Sequence, residues 1–155
     1  MNDIVPTLTR RMEIQNLEDV MRKHPNAITG DHPLLPLKHI FGDGLYVRDL
    51  TIPKNTLVVG KIHRKRTLNI LLKGEITVLT EEGVKRLKAP LYFISPAGSK
   101  KVGYTHEETV WINVHATQET DLKKIEEEQI MKDGNFLDIE IEENKILELA
   151  MGEIK

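Results

Sequence analysis

No cysteine occurs in the 155 residues. Disulfides, thiolate metal sites and a cysteine nucleophile are therefore excluded, and a reducing, cytoplasmic compartment is the expectation. No apolar run approaches the roughly 20 residues that cross a bilayer as a helix, so no membrane partner is expected. The opening MNDIVPTLTRRMEIQ lacks the apolar core of a secretory signal. An excess of positive charge is missing too: 22 Lys and Arg stand against 24 Asp and Glu, for a net charge of −2. Duplex nucleic acid is gripped through a basic face that displaces counterions, so it is not an expected partner. There is no phosphate-binding Walker loop, no dinucleotide glycine fingerprint and no calcium loop of the EF-hand kind.

What is present suits one soluble domain with an ordinary core: 39% of residues are hydrophobic and 30% charged. Three zones follow one another. In residues 1–43, Asn16 can cap a short helix over 17–23, with Asp19 three residues on and Pro25 ending it. ITGDHPLLPLKHIFGDG then reads as an ordered, meandering arm carrying Leu34, Leu35, Leu37, Ile40 and Phe41. Residues 44–117 read as β throughout. Leu45, Val47 and Ile52 fall in strands, and Pro53-Lys54-Asn55 in a turn. Gly74 interrupts a long apolar run, and Thr80 to Gly83 form a tight hairpin turn. Short strands at intervals of about ten residues point to a barrel or sandwich. Tyr92 and Trp111, in strongly apolar strands, read as core. Lys85, Arg86 and Lys88 read as a solvated face. Residues 118–155 begin with a helix capped by Thr120 over DLKKIEEEQIMK, stopped by Lys132 to Asn135. FLDIEIEENKILELAMGEIK is compatible with strand or helix.

The stretch GKIHRKRTLNILLKGEITVLTEEG, followed by YFISPAGSKKV, has a recurring rhythm: strand, Gly-Glu, strand, turn, strand, then Pro-x-Gly. In this the middle zone resembles a cupin, the double-stranded β-helix barrel of RmlC-like jelly-roll proteins. The resemblance implies a mainly β fold, a cupin-type barrel with N- and C-terminal helical appendages. It also implies four ligand positions, which fall on His63, Lys65, Asn69 and Lys101. A transition metal needs imidazoles and carboxylates converging on one point, and two ammonium groups would repel it. The family's metal and its usual chemistry therefore do not carry over. If His63, Lys65 and Asn69 share strand parity they face the interior, with Lys101 approaching from a partner strand. Buried lysines without an acid favour a bound anion, such as phosphate, a carboxylate or a nucleotide. The alternative is a register slip near Arg66 and Thr67 that makes His-Arg-Lys-Arg a solvated turn.

Tyr104 and His106 are further candidates at the barrel mouth. A divalent transition metal held by His63, His106 and His115 is the alternative site, and would make the protein an enzyme. The segments GKIH, LNILLKG, SPAGSKKVGYTHEETVW and HATQETDLKKIEEE are also similar to small cupin-like proteins encoded by tailed phages. That similarity implies a setting, the host cytoplasm, more than an activity. Three functions are thus in play. The first is a non-catalytic binder of a small anionic ligand at His63, Lys65, Asn69, Lys101, Tyr104 and His106. The others are a three-histidine metal enzyme and a structural or virion-associated interaction protein. The apolar content of both appendages suits wrapping a second subunit, so a homo-oligomer, most simply a dimer, is expected.

Overall fold

A computed structural model describes residues 4–25, 27–28, 32–80 and 82–131. The ambiguous segment from Phe136 onward lies outside them. The chain opens with helix α1 (Ile4–Lys23). The strands that follow are β1 (Leu37–Gly42), β2 (Leu45–Ile52), β3 (Leu57–Val59), β4 (Ile62–His63), β5 (Thr67–Lys73) and β6 (Glu75–Thr80). After them come β7 (Gly83–Lys88), β8 (Leu91–Ser95), β9 (Val102–Thr105), β10 (Thr109–Ala116), helix α2 (Leu122–Gln129) and β11 (Ile130–Met131). Two antiparallel sheets result, in the orders β1-β2-β10-β5-β8 and β3-β9-β6-β7. The short pair β4–β11 forms a separate ladder, joining Ile130 to His63. This is the mainly β, cupin-type barrel that the strand rhythm implies.

Gly74 is where the chain leaves the first sheet for the second. Its φ is +95°, and a Cβ there would lie 2.4 Å from the Glu108 carbonyl oxygen. The backbone approach that closes this corner therefore requires glycine. Between the sheets, Leu71, Ile76 and Val78 pack with Trp111, Leu87, Ala89 and Leu91. Leu71 and Trp111 mark the inner face of the five-stranded sheet, and Ile76 and Val78 that of the four-stranded one.

The outer face of the four-stranded sheet is closed by α1. Ile14, Leu17, Val20 and Met21 repeat at helical spacing and pack on Leu57, Val59, Leu79 and Val102. The helix starts at Ile4, well before the short capped helix expected over 17–23, and Asn16 lies within it rather than at its end. Pro6 falls in the first turn, where its missing N–H would be unpaired anyway. Packing on the sheet, rather than a local cap, sets the helix's length.

The same contact buries Lys100, which is 1% exposed. Its ammonium pairs with Glu18 and donates to Gln15 Oε1 at 2.9 Å, both on α1. Removing Lys100 leaves the buried Glu18 Oε2 unpaired, although Arg22 still holds Oε1 at 2.6 Å. Lys100→Met is therefore expected to lower stability by roughly 2 kcal/mol, read as a lower urea midpoint.

At the other end Asp121, not Thr120, caps α2, its carboxylate accepting from the Lys123 and Lys124 amides. The helix ends at Gln129, because Ile130 and Met131 turn extended to pair with β4.

Candidate functional site

Side chains alternate faces along a strand, and directly paired residues share one. In the five-stranded sheet Trp111, Asn113 and His115 of β10 therefore face inward with Leu50, Arg48 and Tyr46 of β2. Thr67, Asn69 and Leu71 of β5 face inward with Ser95, Phe93 and Leu91 of β8. The inner face thus changes character along its length. It is apolar around Leu71 and Trp111, and polar and cationic toward Arg48 and His115.

At the polar end the His63 and His115 rings meet edge to face, with centroids 5.2 Å apart. Tyr46, 4% exposed, stacks on the other side of His115 at 5.8 Å and on Phe41 at 5.2 Å. The Tyr46 hydroxyl is fixed by His39 Nδ1 at 2.7 Å. Two cations act on the histidine pair. Burial first, then His115, Lys101 and Arg48, push His63 down from 6.5 to about 4. His115 is lowered by burial and then by Arg48, against an opposing hydrogen bond with Gln129. At neutral pH the site therefore holds two neutral imidazoles beside two permanent positive charges. Arg48 has no carboxylate partner among the described residues. Lys101 stands one residue before β9 with the parity of Gly103 and Thr105, on the side of that sheet where Val58 and Ile76 lie. Its ammonium also reaches Ser99 Oγ at 3.4 Å.

The sequence-derived candidates divide. Lys101 lies near enough to His63 to act on it electrostatically. Asn69 is inward, but its hydrogen-bonding capacity is used structurally. Its Oδ1 accepts from Asn113 Nδ2 at 2.7 Å and Trp111 Nε1 at 3.2 Å, and its Nδ2 donates to Thr67 O and Ser95 Oγ, both at 3.0 Å. Asn69→Ala would leave buried donors unpaired and is expected to cost about 2–3 kcal/mol, measured as a lower thermal midpoint.

Lys65 is not interior. It is exposed and reaches Glu128 at 3.4 Å, because the chain bends through residues 64–66 and the strand parity that would turn it inward is lost. Arg64 Nε donates to Ile130 O at 2.9 Å, and the Arg64 amide to Gln129 O at 2.7 Å. The basic cluster therefore clasps α2 and β11 against the barrel.

Tyr104 and His106 belong to the other side of the four-stranded sheet. Tyr104 shares parity with Val102, under α1, and its ring lies 5.5 Å from His106. His106 Nε2 is bonded to Thr77 Oγ1 at 2.7 Å, on the face of β6 that carries Leu79. His106 thus does not join His63 and His115, and the three-histidine set is not assembled. Among the described residues no three His, Cys, Asp or Glu side chains are grouped to hold an ion. Two imidazoles with the positive Arg48 and Lys101 acting on them do not suit a divalent metal.

Sequence reasoning missed Arg48, Tyr46 and Gln129. A signal was available in LYVRDLTI, where Tyr46, Arg48, Leu50 and Ile52 alternate with Leu45, Val47, Asp49 and Thr51. The expectation put Leu45, Val47 and Ile52 in strands without assigning a face, and the structure buries Tyr46 and Ile52 and leaves Leu45 48% exposed. The expectation that Tyr92 belongs to the core is corrected too: it is 77% exposed, on the side of its strand that faces away from the barrel.

Comparison with solved structures bears on the fold. Over 61% of this chain and 90% of its own, KdgF from Halomonas sp. superposes with a TM-score of 0.50 at 14% identity. An RmlC-like cupin from Shewanella frigidimarina gives 0.49 at 18% identity, covering 61% and 86% of the two chains. The Cnp3 cupin domain of Schizosaccharomyces pombe gives 0.48 at 18% identity, covering 71% and 80%. At these identities what is shared is a fold. No protein-family model and no curated protein matches the chain.

Proposed function

We propose that this cupin-fold chain is a non-catalytic binder of a small anionic ligand, phosphate-like in its chemistry, held between Arg48, Lys101, His63 and His115. The observation that carries the reading is that Arg48 and Lys101 both act on one inward-facing histidine pair, and that Arg48 has no carboxylate partner among the described residues. An anion would take charge-assisted hydrogen bonds from the guanidinium fork and the ammonium. The neutral imidazoles add donors and gain a reason to protonate once a negative charge is present. Glu128, the acid next to Gln129, is already engaged by Lys65, Thr117 and Gln129. Neither His63 nor His115 is hydrogen-bonded to a serine or threonine hydroxyl among the described residues. Among the described residues these two imidazoles therefore activate no hydroxyl nucleophile, which favours binding over turnover at this site. The similarity to small phage-encoded proteins extends the proposal to a metabolite of a host cell as the ligand.

Calorimetric titration with inorganic phosphate, a nucleoside monophosphate and citrate tests it. One anion bound per chain, weakened by added salt, is the expected result. Silence toward all three anions, with saturable uptake of one Zn²⁺ per chain, would overturn it.

A further inference from the structure

We infer that α2 and β11 form a strap that closes the histidine site, held shut by the exposed cations Lys61, Arg64 and Lys65 and lifted to admit a ligand. The proposed anion binding enters only in saying what is admitted. Both imidazoles of the site meet the strap. Ile130 pairs with His63 along the β4–β11 ladder. Gln129 is hydrogen-bonded to His115, and the two are 3% and 6% exposed. Tyr46 stacks on one side of the His115 ring, and His63 meets it edge to face. The barrel supplies those two neighbours and the strap supplies the third. With the strap in place His115 is nearly sealed, so a molecule that reaches it enters while the strap is raised.

The two helices are fastened differently. α1 is fixed by Ile14, Leu17, Val20 and Met21 and by the buried Lys100–Glu18 pair. α2 has eight residues, of which Ile125 and Gln129 are buried. A helix of two turns does not persist alone in water, so its contacts decide whether it stays folded in place. Those contacts are largely polar. Lys61 pairs with Glu126, and Lys65 with Glu128 at 3.4 Å. Arg64 Nε donates to Ile130 O at 2.9 Å, and Thr117 Oγ1 to Glu128 Oε2 at 3.1 Å. The Lys61 and Glu126 side chains are 61% and 55% exposed. Exposed ion pairs are individually weak and are screened by salt. A segment with few buried apolar groups and exposed polar ties opens far more readily than the core. The basic cluster thus acts from outside the barrel, on the acids of the strap. These pairs form whether the site is empty or filled. Loosening them therefore speeds entry and exit together and leaves affinity unchanged.

Labelling of the histidines with diethyl pyrocarbonate near neutral pH, read residue by residue by peptide mass spectrometry, tests this with no ligand present. The reagent modifies a neutral imidazole at a rate set by access to it. Lys61→Glu places a like charge against Glu126, and Lys61→Glu/Glu126→Lys restores the pair with its signs exchanged. Both side chains are exposed, so folding should survive, and circular dichroism checks this. Exposed His32 is the internal reference. His115 is expected to label roughly threefold to tenfold faster in Lys61→Glu than in wild type. In the exchanged variant its rate should return to within about twofold of wild type, with His32 alike in all three. Equal His115 rates in wild type and Lys61→Glu would overturn the inference. A raised rate that the charge exchange does not lower would overturn it as well, by showing that the ion pair is not what holds the strap. Because no anion takes part, failure of phosphate to bind would reject the anion reading and leave this result intact.

Discussion

Arg48→Ala is expected to bind phosphate roughly 10- to 100-fold more weakly than wild type while unfolding at nearly the same urea concentration. A hydrogen bond from a charged donor contributes about 1.5–3 kcal/mol, which corresponds to that range in affinity. Arg48 sits on the inner face beside Asn113 and acts electrostatically on both His63 and His115. Having no carboxylate partner among the described residues, it loses no ion pair when truncated, and like-charge repulsion within the site falls. Arg48→Lys keeps the charge but not the planar fork, so an intermediate affinity is expected. Lys65→Ala separates this site from the one implied by strand parity alone. Lys65 is exposed beside Glu128, and its removal is expected to leave phosphate affinity unchanged. A large loss with Lys65→Ala and none with Arg48→Ala would reject the assignment.

The second large effect is a loss of stability in mild acid. His63 protonates near 6.5 when unfolded and near 4 when folded. Between those values the unfolded chain binds more protons, so stability falls as pH falls through the window. Above about 6.5 both forms are neutral and the penalty vanishes. Each unit of difference corresponds to about 1.4 kcal/mol. After a discount for the ring's partial exposure, roughly 2 kcal/mol should be lost between pH 7.5 and pH 4.5. His115, lowered for related reasons, adds to the loss in the same direction. Chemical denaturation at the two pH values measures this. His63→Gln is expected to flatten the slope, because glutamine takes up no proton. Saturating phosphate should reduce the acid loss in wild type, since an adjacent anion stabilises the imidazolium. Equal slopes for wild type and His63→Gln would show that the ring is not held in a cationic, desolvated setting.

The barrel was legible because its signals are local. Gly74 demanded a corner, Thr80 to Gly83 a hairpin, and Pro96 to Gly98 a turn at which Gly98 adopts φ +80°. These steric requirements act over a few residues, so they survive without knowledge of the fold. The site was half legible. His63 and Lys101 were named because the cupin resemblance supplied positions, and both are present where an anion could meet them. Lys65 failed because parity was carried through a bend that only the β4–β11 pairing reveals. Arg48 was overlooked because its strand alternates large residues on both faces, and β10 pairing decides which face is inner. Lys100 and Lys101 are adjacent and chemically identical, yet one is sealed under α1 with Glu18 and the other acts electrostatically on His63. That distinction depends on the length of α1, which tertiary packing sets.

The most direct test of the central claim is a proton NMR titration of the His63 ring, with and without phosphate. The account predicts a midpoint near 4 in the free protein that rises when phosphate is added, and that rises also in Arg48→Ala without any ligand. A midpoint near 6.5 that responds to neither phosphate nor the loss of Arg48 would contradict it.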